Sequence, residues 1–339
     1  MIPDEILDCW GLSGYAGGAI VLGSGNIHDT YRLGSFVIQR LNNQIFRDPE
    51  LVMDNLTRVL DHLCGGPYPL QVSRPVVSAS GNMLEWDSMG GVWRVFSYIS
   101  DTYAPEGMVS AETAREAAWA YGVFTAAMDT FGLEGLGETI PGFHDSDRRW
   151  TQFTIAIERD IAFRMKDCSR EIGRMRDYSG LFERVGKLKR SGELVLRVTH
   201  NDTKAGNVLM SLHTGRAVAV IDLDTVMPGV VLSDFGDMVR TFVPSVYEDG
   251  RAEDLSLRLE VLDALRAGYL SSAGGVLTPL ERQNLFLGGA WMVGEQALRF
   301  LTDYLNGDLY YKTAYDHHNL VRARNQLRLL DLLSGLSGW

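Results

Sequence analysis

The 339-residue sequence has few of the residues that crosslink a fold, grip a phosphate backbone or cross a membrane. Cysteine is scarce. Cys9, Cys64 and Cys168 stand far apart with no CxxC and no Cys/His ligand spacing, which argues against zinc and against a disulfide framework, and for a reducing compartment. Basic residues are in deficit, 32 Lys and Arg against 43 Asp and Glu, so the formal charge of −11 repels nucleic acid and anionic lipid alike. The longest apolar run, Leu285 to Gly294, stops at Glu295, at half the roughly 20 residues a membrane-spanning helix needs. The first residues, Met1-Ile2-Pro3-Asp4-Glu5, are acidic where a secretory signal is basic, and a cytoplasmic protein is expected. There is no repeat, no low-complexity tract and no Pro-rich linker among only ten prolines.

What is present is ample for folding. At 45% hydrophobic residues the chain is not disordered, and its length predicts about two domains or lobes at roughly 150 residues each. Residues 17–41 read as consecutive strands: Ala19-Ile20-Val21-Leu22, a turn at Gly23 and Gly25, Tyr31-Arg32-Leu33, a break at Gly34, then Phe36 to Leu41. Asp48 and Pro49 open a helix with apolar Val52, Leu56, Val59, Leu60 and Leu63, stopped at Gly65-Gly66-Pro67. Strand character returns at Pro75-Val76-Val77, Asn82 to Trp86 and Val92 to Phe96, with Gly90-Gly91 as a hairpin turn. Helices dominate afterwards. Ser110 caps one whose stripe is Ala114, Ala117, Tyr121, Phe124, Met128 and Phe131, and residues 148–190 and 254–333 follow suit. A hinge is expected near Phe96 to Asp101, and the basic run Lys187 to Arg190 reads as a solvated helix end.

Between the helical blocks, residues 193–226 are rich in short strands, and the chemistry lies there. Apolar Leu194 to Val198 leads into Thr199-His200-Asn201-Asp202-Thr203-Lys204-Ala205-Gly206-Asn207, and Val208-Leu209-Met210 pairs with Ala217 to Ile221 around Leu212 to Gly215, ending at Asp222. An aspartate, an asparagine five residues on and an aspartate after a hairpin is the arrangement of a kinase catalytic loop and its metal-binding carboxylate. Phosphoryl transfer requires these types. The first carboxylate, Asp202, accepts and orients the attacking hydroxyl, while the hard oxygens of Asn207 and Asp222 suit Mg²⁺. Lys204 stands where a kinase loop projects a lysine toward the transferring phosphate. Asp234-Phe235-Gly236 spells a DFG but lies beyond the hairpin; Asp222 is the better ligand, and Asp234 is expected to brace the catalytic loop. Asp224 is left between a metal-shell role and a turn cap.

These residues resemble the aminoglycoside phosphotransferase and choline kinase superfamily, with its H-[GN]-D-x-x-x-x-N signature followed by I-D. Within it, the N-acetylhexosamine 1-kinases are most similar, through Gly23 to Tyr31, Thr199 to Asn207, Ile221 to Thr225, Met227-Pro228-Gly229, Arg299 to Leu305 and His318 to Arg322. The resemblance implies an α+β bilobal, protein-kinase-like fold, with a small antiparallel-sheet N-lobe carrying one helix (1–97) and a larger, mainly helical C-lobe (98–339). It implies ATP as co-substrate, bound with Mg²⁺ by Gly23, Gly25, Gln39 and the hinge residues Ser97 and Ile99. It further implies Asp202 as base, with Lys204 beside it, Asn207 and Asp222 as metal ligands, and transfer to the anomeric hydroxyl of N-acetylglucosamine or N-acetylgalactosamine held by Asn26, Asp202, Arg299 and Tyr310. Two departures stand out. Asn26 replaces the family's histidine in the glycine-rich loop, and Gln39 occupies the place of the β3 lysine of protein kinases. Alternatives are a kinase for another hexose, choline or an aminoglycoside, or an inactive kinase-fold sensor; a small-molecule sugar is the expected partner, and oligomeric state is not set by the sequence.

Overall fold

The structure is a computed structural model that describes residues 2–22 and 27–336. Its first part is an antiparallel sheet built from β1 (Ile20–Val21), β2 (Asp29–Leu33), β3 (Phe36–Leu41), β4 (Glu85–Trp86) and β5 (Val92–Ser97), in the order β1-β2-β3-β5-β4. The glycines and short loops make β2 and β3 a hairpin, and β3 then pairs with β5 in a register that sets Gln39 opposite Arg94. Strand character at Pro75 to Val77 shrinks to one isolated bridge, Pro75 to Phe96, because proline has no N–H to extend a ladder. Between β3 and β4 runs α1's larger successor: α1 is the short Asp4–Cys9, absent from the sequence reading, and α2 is Pro49–Gly65. Asp48 caps α2 by accepting from Leu51 N–H, Pro49 takes the first-turn position, and Val52, Leu56, Val59, Leu60 and Leu63 are buried as spaced. Helix α1 exists because Ile6 and Leu7 close a small core with Leu33, Ile38, Trp93 and Val95.

The remainder is mainly helical: α3 (Ala111–Met128), α4 (Ser146–Arg159), α5 (Ser169–Asp177), α6 (Ser179–Arg190), α7 (Val231–Phe242), α8 (Leu259–Ala273), α9 (Pro279–Leu305) and α10 (His318–Ser334). Ser110 caps α3 through Thr113 N–H, and Ala114, Ala117, Tyr121, Phe124 and Met128 are buried against α8. Helix α9 opens with a capping box, Thr278 and Glu281 exchanging side-chain-to-backbone bonds, just before Pro279. None of the described helices is long and apolar enough to cross a membrane.

Helix α7 is absent from the sequence reading, where Pro228-Gly229 ahead of it reads as a loop and Asp234-Phe235-Gly236 as a motif. Its residues do carry a helical period, and its polar side chains Ser233, Asp234 and Asp237 are buried along with the apolar ones. It lies so close to α9 that a Cβ on Gly236 would collide with the Gly288 carbonyl, and a Cβ on Gly288 with the Leu232 carbonyl. Two further small strand groups complete the frame: β6 (Thr102–Tyr103), β8 (Val208–Ser211) and β9 (Ala217–Val220) form a three-stranded sheet in the order β6-β8-β9, and β7 (Arg197–Thr199) pairs with β10 (Met227–Gly229). The catalytic-loop candidates thus sit between β7 and β8, at the top of a helical core.

Candidate active site

A cleft of about 980 Å³ separates the five-stranded sheet from the helical part. Leu22 and Val37 roof it, Leu209, Val220 and Ile221 floor it, Leu56 and Leu60 of α2 close the back, and Ser97 to Ile99 with Thr102 to Gly107 form its edge. Lys204, Asn207, Asp222 and Asp224 line its polar end. An apolar slot with polar groups at one end suits a flat ring carrying a charged tail.

The loop after β7 is held by the surrounding fold rather than by its own residues. Both oxygens of Asp234, on α7, accept backbone N–H groups from the loop, His200 at 2.9 Å and Asn201 at 2.7 Å. Asp234 is therefore a brace, as its position beyond the hairpin implied, and its burial raises its carboxyl pKa against the opposing pull of His200 and those N–H groups. Asn201 takes a left-handed conformation (φ 64°), tolerable for asparagine, and its amide donates to Thr225 O at 2.9 Å. His200 is fully buried; its Nε2 reaches Ile221 O at 3.0 Å and its Nδ1 accepts from Asp202 N–H at 3.3 Å, so it orders the backbone. Tyr121 reaches up from α3 to Lys204 O at 2.8 Å.

On this scaffold Asp202, Lys204, Asn207 and Asp222 converge as the spacing implied. Lys204 Nζ lies 3.0 Å from Asp202 Oδ2, and Asn207 Nδ2 donates to the same oxygen at 2.9 Å and to Asp202 O at 2.9 Å. Burial raises the Asp202 pKa, but the Lys204 ammonium, His200 and the Asn207 amide together outweigh it and the net shift is downward. The carboxylate is ready to accept a hydrogen bond rather than to donate one. With its amide nitrogen committed, Asn207 keeps its Oδ1 without a hydrogen bond from the described residues, and Ile221 N–H on Asn207 O at 2.9 Å fixes the neighbouring strand end beside it.

Asp222 sits at the head of a single 3-10 turn, Leu223–Thr225, in a left-handed conformation (φ 61°) that only local need sustains in an aspartate. Its carboxylate accepts no hydrogen bond from the described residues, and burial together with Asp224 and Asp202 pushes its pKa up despite Lys204. A half-buried carboxylate without a hydrogen-bond partner among the described residues, beside the amide oxygen of Asn207, is a donor set of hard oxygens, which fits a divalent cation. His28, Asp222 and Asp224 also approach one another within 4.8 Å. His28 is no ligand in that group, because its Nδ1 accepts from Asn42 N–H at 3.1 Å, leaving Nε2–H to donate to Asp224 at 2.8 Å.

Gln39, Ser97 and Ile99 line the cleft as expected, whereas Gly23, Gly25 and Asn26 lie outside the described residues. Arg299, on α9, faces the rings of Phe143, Tyr310 and Tyr311 at 5.4, 5.7 and 5.5 Å. Tyr310 is not in a helical pattern, contrary to the sequence reading: it follows α9 in a loop fixed by Asp303, which accepts from the N–H groups of residues 309, 310 and 311, and it is 56% exposed. The basic run at the end of α6 is not wholly solvated either, since Lys189 donates to His144 O at 3.0 Å over the Trp291 ring.

Several neighbours escaped the sequence. Arg149, on α4, lies beside Arg299, donates to Phe143 O at 3.0 Å and leaves its Nε buried without a partner; burial and Arg299 together lower its pKa. Glu295 does not serve either arginine directly but pairs with His144 at 2.8 Å. Arg240 joins this group to the loop: it is paired with Asp237 and Glu248 at 2.7 Å each and lies within electrostatic range of both Asp202 and Arg299. Arg94, the lone cation in an otherwise apolar strand, was the one signal that could have been read.

The family model described as the phosphotransferase enzyme family matches residues 19–271. The chain belongs to this family. It is a small-molecule kinase-like phosphotransferase, of the kind that acts on hydroxyl groups. Solved structures carry the same fold. The phosphotransferase is similar to an aminoglycoside phosphotransferase from Alicyclobacillus acidocaldarius (13% identity, 98% of this chain and 95% of that one, TM-score 0.64). It is similar also to a choline/ethanolamine kinase family protein from Mesorhizobium loti (15% identity, 96% and 91%, TM-score 0.56). A third likeness is to an amicoumacin kinase in complex with AMP-PNP and Ca²⁺ (15% identity, 92% and 88%, TM-score 0.59). The small sheet with its helix and the larger helical part are therefore a kinase-like fold.

Proposed function

We propose that this phosphotransferase moves the γ-phosphate of ATP to the anomeric hydroxyl of N-acetylglucosamine or N-acetylgalactosamine, with Asp202 as the base. The observation that carries the acceptor class is the pair Arg149 and Arg299. Neither forms an ion pair among the described residues, and both lie among phenol and amide groups, Tyr310, Tyr311 and Gln296, while the nearby carboxylates Asp237 and Glu248 already pair with Arg240 and Glu295 is bonded to His144. A polycationic aminoglycoside or a quaternary amine would meet two uncompensated arginines there. A sugar offers hydroxyl and acetamido oxygens that accept from them. The choice of the anomeric position rests on the likeness of residues 299–305 and 318–322 to N-acetylhexosamine 1-kinases.

Residues 1–97 would form the nucleotide-binding lobe and residues 98–339 the catalytic and acceptor lobe, with the adenine between Val37 and Leu209 against Ser97 and Ile99. The amicoumacin kinase complex with AMP-PNP and Ca²⁺ supports a nucleoside triphosphate and a divalent cation at this place. Asn207 Oδ1 and Asp222 would hold Mg²⁺, which when bound neutralises charge on the β- and γ-phosphates. Asp202 accepts the hydrogen bond of the attacking hydroxyl, aligns the oxygen and takes its proton as the bond to phosphorus forms. Lys204, half-exposed beside it, keeps the carboxylate ionised and turns to the γ-phosphate when the nucleotide enters. The three free cysteines fit the reducing conditions of a cytoplasm, where both substrates are met.

Acceptor-dependent ADP release from Mg–ATP tests the roles directly. Asp202→Asn should turn over at least about 100-fold more slowly while still binding Mg–ATP, within the usual contribution of a positioned base. Asp222→Ala should lose Mg²⁺-dependent turnover altogether. Near-wild-type turnover in Asp202→Asn contradicts the assignment.

A further inference from the structure

Protein kinases hold the nucleotide phosphates with a β3 lysine fixed by a glutamate on the following helix. Here that pair has no counterpart: β3 offers Gln39, and α2 turns Leu56 and Leu60 to the cleft and Met53 behind them. A different charge sits at the same place. Arg94 of β5, only 1% exposed, donates through Nε and Nη2 to Gln39 Oε1 at 3.1 and 2.9 Å, and through Nη2 to Asp224 Oδ2 at 2.7 Å. His28 donates to the same carboxylate oxygen at 2.8 Å. Two residues of the five-stranded sheet region thus converge on one aspartate in the turn that follows Asp222, and a third, Gln39, holds the arginine.

We infer that Arg94 is a positioning residue for phosphoryl transfer, forming with Gln39, His28 and Asp224 a clamp that ties the sheet to the Asp222 turn and replaces the lysine–glutamate pair. The inference rests on the nucleotide-site reading above. The geometry separates two jobs that one carboxylate could not do. Asp224 takes up the charge of Arg94, so that Asp222, two residues earlier, keeps its carboxylate clear of hydrogen bonds. A fully buried guanidinium with a single carboxylate partner is expensive to place, and it is tolerated because Gln39 Oε1 accepts two of its N–H groups, while His28 gives the shared carboxylate oxygen a second donor. The kinase pair lies within one lobe and breaks when its helix swings away; this clamp joins residues 130 apart in sequence, across the cleft, so opening the cleft at this end breaks a buried ion pair. Asn55 of α2 reinforces it, donating to Gly137 O at 2.8 Å and Val226 O at 3.0 Å on the far side of the same turn. The active arrangement of sheet, helix and metal-site turn is therefore built in.

The test compares wild type, Arg94→Lys, and the neutral double variant Arg94→Met/Asp224→Asn, each checked for folding by thermal unfolding and assayed by steady-state kinetics and Mg–ATP calorimetry. Arg94→Met alone strands the Asp224 charge; the double variant removes both charges, a replacement that buried ion pairs often tolerate. A double variant that unfolds cooperatively near the wild-type temperature should raise the KM and dissociation constant for Mg–ATP at least about 10-fold, with the acceptor KM within about 2-fold of wild type, and Arg94→Lys, which keeps the charge but not the fork, should fall between. A folded double variant with wild-type Mg–ATP affinity and turnover overturns the clamp, as does a rise confined to the acceptor KM. A wild-type protein that binds no Mg–ATP overturns the nucleotide-site reading on which the clamp stands, which is a different result from equal binding by wild type and variant.

Discussion

Asp234 spells the first letter of a DFG, yet the structure gives it two backbone donors and no place in the cleft, and Asp234→Asn separates the two roles. The substitution is isosteric. One carboxylate oxygen becomes an NH₂ group facing either His200 N–H or Asn201 N–H, which now lie 2.9 and 2.7 Å from their acceptors, at a residue only 2% exposed. An orphaned buried donor costs about 1–3 kcal/mol, and the second bond loses its charge assistance, while relief of a carboxylate that burial already disfavours returns part of that. A net loss of about 2 kcal/mol follows, or roughly 4–8 °C in Tm at about 2–4 °C per kcal/mol for a large domain. Because the displaced peptide adjoins Asp202, a shift near 1 Å should lower kcat by about 100-fold. The Mg–ATP dissociation constant, measured by calorimetry on the folded variant, should change by less than about 3-fold. Unchanged Tm with lost Mg–ATP binding would make Asp234 the metal ligand and refute the reasoning from the Asp222 turn.

Three further outcomes are expected. Asn55→Leu, which leaves Gly137 N–H, Gly137 O and Val226 O without their partner, should lower stability by about 2–4 kcal/mol in urea unfolding, and a loss under 1 kcal/mol would show that α2 is held by apolar contacts alone. Arg299→Ala should raise the acceptor KM about 10- to 100-fold, the worth of a lost charged hydrogen bond, with the ATP KM unchanged; the reverse pattern sinks the acceptor site. Asp87 carries the pH dependence of the β4–β5 hairpin: the Trp93 indole donates to it at 2.8 Å and, against the effect of burial, holds its pKa below the ordinary carboxylate value with help from the Gly91 and Met89 N–H groups. Its contribution is present above the ordinary value of about 3.9 and is lost as pH falls through the depressed one, so the gap in urea midpoint between wild type and Asp87→Asn, followed by tryptophan fluorescence, should be full at pH 7 and narrow in acid. A gap that does not vary with pH removes the Asp87 carboxylate from the account.

What the sequence disclosed follows from how local each feature is. Asp202, Asn207 and Asp222 were legible because phosphoryl transfer dictates their spacing along one loop and one hairpin, and α2 was legible because Asp48, Pro49 and a clean apolar stripe mark it. Helix α7 went unread although its residues carry a helical period, because Pro228-Gly229 reads as a loop and Asp234-Phe235-Gly236 as a motif. The Arg94 clamp was hidden for another reason: its members come from β3, from His28 just before β2 and from a turn far along the chain, and nothing in Val92-Trp93-Arg94-Val95-Phe96 says where a buried arginine finds its carboxylate. Arg149 belongs to the same class, brought to Arg299 only by the packing of α4 against α9. Tyr310 was placed in a helix because the apolar period of α9 runs on toward it, whereas Asp303 accepts three successive N–H groups just beyond Leu305 and turns the chain into a loop.

The most direct test of the central claim is ³¹P and ¹H NMR of the product formed from Mg–ATP and an equimolar mixture of N-acetylglucosamine, N-acetylgalactosamine, galactose, glucose, choline and an aminoglycoside. The account predicts a single class of product, an N-acetylhexosamine phosphorylated at its anomeric carbon and formed at least about 100-fold more slowly with Asp202→Asn. Phosphate on choline, on the aminoglycoside or on a non-anomeric hydroxyl would contradict it.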